Sequence, residues 1–429
     1  MSPEGGEALP LALIGLLIAG LLAFILTPVS IRFASRVGAI DQPGDRRVHA
    51  HPTPRGGGLA IAASFVAVGV GILAWNRAAG AVDVAKMPRT SELVALFAGA
   101  VLAAVLGFLD DRFDLRARWQ FLGQFGLAGI AVASGLTVGF IANPFGAGRI
   151  DFTNVFAVVF TVFWIVGMIN SINWIDGLDG LSSGVAAIAA LTLGGISLQS
   201  TQDEPVVALV CFVLAGALAG FLPWNFHPAR IFVGTSGVFL IGYTLAVLSA
   251  LGTAKVAVAL LVLGVPIIDT FWIIVRRLAR GSSPFAPDRG HLHHRLLDLG
   301  LGQREAVLLI YAISVVLAIL GFVLSGRSQL YAFMGIVVAS GVLLYLMTVR
   351  TRETGGSGLD ASAYDEPPPS DPARVAGTAA GQPDEPGRVA GLQAAAASER
   401  AAPVPVPEDQ AGAAAPAHAR WRPVEGGHR

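Results

Sequence analysis

An all-α protein threaded repeatedly through a membrane is the fold class this sequence predicts, and three observations predict it. Hydrophobic residues make up 54% of the 429 and charged residues only 14%, a balance outside the usual range of soluble domains. The mean hydropathy is +0.66. Apolar runs near the ~20 residues that cross a bilayer as a helix recur at 9–32, 57–75, 92–109, 119–140, 153–171, 181–198, 205–224, 231–250, 254–275, 305–324 and 328–348, about eleven in all.

The first run resembles a signal peptide in length, but acidic Glu4 and Glu7 precede it where a positive segment belongs. It is expected to be a retained helix. Orientation follows from the arginines, which gather on the cytoplasmic side of membrane proteins. Arg32, Arg36, Arg46, Arg47 and Arg55 lie between the first two runs, and Arg112, Arg116 and Arg118 follow the third. Arg230 precedes the eighth, Arg276, Arg277, Arg280, Arg289, Arg295 and Arg304 follow the ninth, and Arg350 and Arg352 follow the last. The alternate loops hold only Arg77, Lys86, Arg89, Arg149, Lys255 and Arg327. A multi-pass protein of the inner (plasma) membrane is expected, its N-terminus outside and its C-terminus cytoplasmic. The formal net charge of zero hides this asymmetry, and no nucleic-acid partner is expected.

The single cysteine, Cys211, lies in an apolar run, which excludes a disulfide framework or a thiolate metal site within the chain. From about Glu353 the composition turns to Ala, Pro, Gly and scattered charge, which cannot bury a core. The chain is therefore divided into a membrane domain, 1–352, and a disordered cytoplasmic tail, 353–429.

Polar groups beside apolar runs are the candidates for chemistry, because an ionisable side chain at membrane depth costs a few kcal/mol unless it faces a wet cavity or a partner. The segment NSINWIDGLDGL at 170–181 follows a spanning run and carries Asp176 and Asp179. At i and i+3 they share a helical face, and two like charges there call for a cation; hard oxygens suit Mg²⁺. The competing reading is a loop whose Asp and Asn residues cap the next helix. The third run ends in Asp110 and Asp111, which point apart on a regular helix and serve one site only if the helix frays or ends there. Arg55 and three following glycines open the second run, where backbone can approach an anion, although a cytoplasmic anchor accounts for the same residues. Asn225 and Phe232 flank a break before the eighth run, whose small residues suit either a bound anion or helix packing. Asp269 in the ninth run must pair with a basic group or line a cavity. After it come His291, His293, His294 and Arg295, which invite a metal reading; the neighbouring arginines repel cations and attract phosphate, so anion binding is expected.

Together, DDR at 110–112, NSINWIDGLDGL at 170–181, NFHPARIFVG at 225–234, PIID at 266–269 and DRGHLHHRL at 288–296 resemble the polyprenyl-phosphate N-acetylhexosamine-1-phosphate transferase family, glycosyltransferase family 4. The resemblance runs from about residue 10 to 350. The HLHH form and the number of runs are similar to the UDP-GlcNAc:undecaprenyl-phosphate branch rather than the phospho-MurNAc-pentapeptide branch.

The resemblance implies transfer of sugar-1-phosphate, GlcNAc-1-phosphate in that branch, from a UDP-sugar to a membrane-embedded polyprenyl phosphate at the cytoplasmic face. UMP is released and a lipid-linked cell-envelope glycan is begun. It places Asp110, Asp111, Asp176 and Asp179 in catalysis, with Asp110, Asp111 and Asp176 at Mg²⁺, for which Mn²⁺ is an alternative. It places Asn173 in the nucleotide-sugar pocket, Phe232 on uracil, His291, His293, His294 and Arg295 at the diphosphate, and Arg55 and Asn225 in substrate binding. Where the family has Gly-Asp-x-Gly-Ser, with the Asp on Mg²⁺, this chain has Gly234, Thr235, Ser236, Gly237 and Val238. A hydroxyl is a weaker Mg²⁺ ligand than a carboxylate, so the metal would fall to the remaining acids and the substrate phosphates. Two other readings compete: a homologue that binds lipid carrier or nucleotide sugar without turnover, and a proton-coupled transporter, whose acids belong nearer the bilayer midplane. The sequence does not decide between a monomer and a homodimer.

Overall fold

The computed structural model describes residues 3–353, apart from 43–50, 81, 83–86, 144, 147, 200–201, 252–254, 280 and 282–290. Arg46, Arg47, Arg280 and Arg289, and the expected tail beyond Glu353, lie outside the described residues.

Helices dominate, and each of the eleven apolar runs is met by at least one. They are α1 (Pro3–Val37), α2 (Gly57–Ala79), α3 (Thr90–Phe113), α4 (Ala117–Ala133), α5 (Asn154–Ile175), α6 (Leu181–Ser197), α7 (Pro205–Asn225), α8 (Gly234–Ala250), α9 (Lys255–Val262), α10 (Gly264–Ala279), α11 (Leu292–Asp298), α12 (Gln303–Val323) and α13 (Arg327–Glu353). Two small antiparallel ladders complete the described residues, β1 (Ile40–Asp41) with β2 (Thr53–Pro54) and β3 (Phe140–Ala142) with β4 (Arg149–Asp151).

Among the described residues, six helices are long and apolar enough to cross a membrane, α1, α2, α3, α5, α7 and α12. The number is seven if α9 and α10 count as one span bent by 80°. For three of the eleven runs the difference is one of length: α6 and α8 are apolar but have 17 residues each, and α4, also of 17, gives way to a hairpin where the fourth run continues to 140; α13, at 27 residues, is long enough but is not among the six. The bend between α9 and α10 has a local cause. Pro266 stands in the first turn of α10, where its missing N–H breaks the ladder running in from α9.

Helix α7 is the most enclosed span and packs against α1, α6 and α2, while α8 packs against α3 and α5. Contact between α1 and α7 runs through small residues: a Cβ at Gly216 or Gly220 would overlap the carbonyls of Leu16 and Gly20. Lipid gives apolar side chains little reason to prefer each other, so close backbone approach supplies the packing energy instead. Five hydroxyls inside the bundle are satisfied locally, those of Thr27, Ser64, Thr161, Thr192 and Ser197 each donating to the carbonyl four residues back.

The connections carrying the sequence motifs meet at one end of the bundle. The last turns of α3, α5 and α7 and the first turns of α2, α6 and α8 converge there, joined by α11 and the start of α12. The β3–β4 hairpin joins the far ends of α4 and α5.

Candidate active site

At that end lies a cleft of about 350 Å³ whose walls include Asp41, Arg55, Asp111, Asn173, Asp176, Asp179, Asn225, Phe232, Thr235, His294 and Gln303. Each wall is built by a definable local device.

The acids of α3 are seated by the first turn of α8. Both oxygens of Asp111 accept backbone N–H groups, Oδ1 from Thr235 at 2.7 Å and Oδ2 from Ser236 at 3.0 Å, a carboxylate held at a helix N-terminus where orphan donors and the helix dipole favour negative charge. Gly234 makes this approach possible. Its φ is +70° and a Cβ there would press on the Asp111 carboxylate. Asp110 is used differently. Its Oδ2 accepts the Thr235 hydroxyl at 2.7 Å, and its Oδ1 accepts the Leu115 N–H at 3.0 Å and the Gln120 amide at 2.8 Å. The two adjacent acids lie in the last turn of α3, which ends at Phe113, and Thr235 spans the pair, backbone to one and hydroxyl to the other. Asp110 is buried behind the cleft wall, not in it.

Asp176 caps α5 and Asp179 follows in the turn to α6. Asp176 accepts the Ser182 hydroxyl, so it also ties down the first turn of α6. Packed round by protein, with only its outer edge on the cleft, its carboxyl is pushed up to about 7. Burial is the main cause, opposed by the Ser182 hydrogen bond; the charges of Asp111 and Asp179 raise it further and Arg55 lowers it. Asp179 Oδ2 pairs with His227 Nδ1 at 2.8 Å and accepts the Ala229 N–H at 3.1 Å, linking this turn to the α7–α8 connection.

Arg55 leaves β2 between two acids, Asp41 and Asp114, the second at 3.3 Å. An isolated bridge joins Arg55 to Phe232. Phe232 N–H donates to Pro54 O at 2.9 Å and Gly57 N–H to Phe232 O at 3.0 Å. An aromatic ring and a guanidinium from distant parts of the chain thus reach the same cleft. Asn225 is engaged at both ends of its amide, accepting from Ser183 at 2.7 Å and donating to Ile231 O at 3.0 Å, so it shapes the wall.

Of the four residues expected at a diphosphate, His294 lines the cleft. His291, His293 and Arg295 do not; His291 pairs with Asp269 at 2.8 Å, and His293 is 2% exposed beneath the others. Asp41 and Gln303, on the cleft wall, were missed in the sequence. Asp41 carried a usable signal, an acid in the same Pro- and Gly-broken loop as Arg55; Gln303 at a helix start carried none.

Carboxylates at 111 and 176 offer hard oxygens, and Asp176, raised to about 7 chiefly by burial and further by the charges of Asp111 and Asp179, sits where a cation would relieve both causes. That chemistry fits Mg²⁺, which is held by one or two carboxylates with substrate phosphates and water. No group of three His, Cys, Asp or Glu residues able to hold a metal occurs among the described residues, so further ligands would come from the substrate.

Residues 93–253 match the family model described as glycosyl transferase family 4. The chain is 37% identical over 321 residues to a probable undecaprenyl-phosphate N-acetylglucosaminyl 1-phosphate transferase of Bacillus subtilis, covering 73% of this chain and 85% of that protein. It is 35% identical over 370 residues to a decaprenyl-phosphate N-acetylglucosaminephosphotransferase of Mycobacterium tuberculosis, covering 79% and 89%. It is 31% identical to an undecaprenyl-phosphate alpha-N-acetylglucosaminyl 1-phosphate transferase of Thermotoga maritima, covering 79% and 99%.

Proposed function

Because the chain belongs to glycosyl transferase family 4, among the polyprenyl-phosphate N-acetylglucosamine-1-phosphate transferases, we propose that it moves GlcNAc-1-phosphate from UDP-GlcNAc to polyprenyl phosphate. The observation that carries this reading is one cleft joining Asp111 and Asp176 with Arg55, Phe232 and His294 at the end of membrane helices.

In the reaction an oxygen of the lipid phosphate forms a bond to the β-phosphorus of the UDP-sugar, and the bond from that phosphorus to the bridging oxygen breaks, releasing UMP. A phosphate monoester has its second pKa near 6 and is mostly ionised at neutral pH. The protein's task is therefore alignment and the cancelling of repulsion between two anions. Asp111 and Asp176 would hold Mg²⁺, or Mn²⁺, which supplies charge neutralisation at the phosphates. Asp111 is fixed by two backbone N–H groups, so its oxygens are already in place before substrate arrives. Arg55 and His294 meet phosphate oxygens, Arg55 being restrained by Asp41 and Asp114. Phe232 offers a face to uracil and Asn173 an amide to the nucleotide sugar. Asp179 and Asn225 hold the walls through His227 and Ser183.

The arginine distribution supports a cytoplasmic cleft in the plasma membrane, with the N-terminus outside. Single cysteines separate the alternatives, since native Cys211 is buried. Phe145→Cys, at a 93% exposed site in the β3–β4 turn, should react with a membrane-impermeant maleimide on intact cells, and Arg116→Cys should not. The reverse pattern would invert the orientation.

Binding without turnover is the second reading, and the neutral residue at 235 is the observation that favours it. Purified protein, a panel of UDP-sugars and a short-chain polyprenyl phosphate, with and without Mg²⁺, decide by UMP release. Metal-dependent release with UDP-GlcNAc supports transfer; lipid-independent binding with no release under any metal supports the second reading.

A further inference from the structure

Asp269 lies on α10, beyond the 80° break, and reaches the segment that opens α11. Its Oδ1 accepts the Leu292 N–H at 2.8 Å and its Oδ2 meets Nδ1 of His291 at 2.8 Å. The pair is enclosed, with side chains 10% and 12% exposed. A carboxylate only accepts, so Nδ1 carries the hydrogen and the tautomer of the ring is set.

His291 does not reach the cleft, yet its position is transmitted. Its ring stacks on His293 at a centroid distance of 5.4 Å and 16° between planes, and His293 lies 4.4 Å from His294. His293 is enclosed, its Nδ1 finds no partner among the described residues, and its ring fills the space a Cβ at Gly177 would need. Burial, with His294 and His291 beside it, holds its pKa well below the usual imidazole range. A neutral ring packs between two others without the repulsion a charged stack would carry. The last ring, His294, is the one on the cleft.

We propose that Asp269 is a positioning residue of the transfer site: it seats the start of α11 through His291 and Leu292, and the ring contacts His291–His293, stacked, and His293–His294, tilted by 44°, deliver His294 to the cleft. The inference rests on the reading of the cleft as the transfer site. Asp269→Asn isolates it. The Leu292 N–H is a fixed donor, so the amide oxygen must face it and the NH₂ must face His291. The ring then has to accept at Nδ1 and carry its proton on Nε2.

Two measurements test this. In ¹⁵N-histidine-labelled protein, with the His291 signals identified by their loss in His291→Ala, Asp269→Asn should move the proton from Nδ1 to Nε2 and shift the His294 signals. Unchanged spectra would overturn the proposal whether or not the protein is active. In the transfer assay, Asp269→Asn should lower kcat/KM for the UDP-sugar by about 10-fold, the low end of what loss of a carboxylate partner costs a metal-bound imidazole, and leave KM for the lipid phosphate unchanged. In a His294→Ala background the same change should cost less than about two-fold, because groups acting as a unit are not additive. Equal losses in both backgrounds would mean that Asp269 acts on the fold at large. Should Asp269→Asn fail to fold, His291→Ala, which keeps the Leu292 bond, carries the same comparison. An inactive wild type would sink the transfer reading and leave the spectra to judge the stack.

Discussion

The Thr235 hydroxyl donates to Oδ2 of Asp110 across 2.7 Å. Through this bond and its own N–H, one residue of α8 holds both acids at the end of α3. The two acids differ in how they tolerate neutralisation. Asp110 faces a hydroxyl that can rotate to accept from an amide, whereas Asp111 faces two backbone N–H groups that cannot. An amide at 111 leaves one buried donor opposed by another, a cost of about 1–3 kcal/mol.

Asp111→Asn should therefore melt several degrees below wild type in detergent and lose turnover by orders of magnitude. Asp110→Asn should melt close to wild type. Equal melting temperatures for the two variants would show that the α8 turn does not discriminate between them.

Asp176 gives a pH dependence whose sign can be worked out. Its folded carboxyl titrates at about 7 against 3.8 ordinarily, so the metal-free fold binds the proton more tightly than the unfolded chain. That fold should lose stability as pH rises from about 4 through 7. A cation competes with the same proton. At limiting Mg²⁺ the transfer rate should climb between pH 6 and 8 and then level off, and saturating Mg²⁺ should move the climb to lower pH. A rate at limiting Mg²⁺ that is flat from pH 5.5 to 8.5 would remove Asp176 from the metal.

Much of this was legible in the sequence, and the reasons are local. Hydropathy marks helices because in a bilayer a single segment can satisfy its backbone internally only as a helix, so each apolar run is met by helix over most of its length. Span lengths were not legible, since a residue such as Pro266 ends one helix inside an unbroken apolar run. The acids at 111, 176 and 179 stood out by their cost at membrane depth. Placement within a motif was not legible: in HLHHR four polar residues sit together, and it is the packing against Asp269 and Gly177 that leaves His294 on the cleft and His293 beneath it. Asp110 and Asp111 are equivalent as letters. They diverge only because Thr235 lies 124 residues away from one of them in sequence and bonds both.

Arg55 is held by two carboxylates at different depths, Asp41 with 11% and Asp114 with 86% of its side chain exposed. A buried pair is the more sensitive to loss of one partner, and Lys cannot reproduce the guanidinium fork. Arg55→Lys should raise KM for the UDP-sugar or the lipid phosphate at least several-fold, Asp41→Asn should produce a similar change, and Asp114→Asn should produce little. An Asp114→Asn effect as large as that of Asp41→Asn would place the controlling contact at the surface.

Position 235 holds a hydroxyl where the family resemblance leads one to expect an acid, and the geometry sharpens what placing an acid there would do. A carboxylate there replaces a hydroxyl that donates to Asp110 with a third negative group beside Asp110 and Asp111. Without a cation, Thr235→Asp loses a hydrogen bond and gains repulsion, so it should melt below wild type at zero Mg²⁺. With a cation between the acids the repulsion becomes coordination. Added Mg²⁺ should raise the melting temperature of Thr235→Asp more than that of wild type, and the Mg²⁺ concentration for half-maximal rate should fall a few-fold, about 1 kcal/mol. Thr235→Val separates the two roles of the hydroxyl, since it removes the donor without adding charge. It should leave Mg²⁺ dependence near wild type while lowering stability by the roughly 0.5–1.5 kcal/mol of one hydrogen bond. A Thr235→Asp protein that is stable at zero Mg²⁺ and indifferent to its addition would mean that the cation, if one binds, lies away from the first turn of α8.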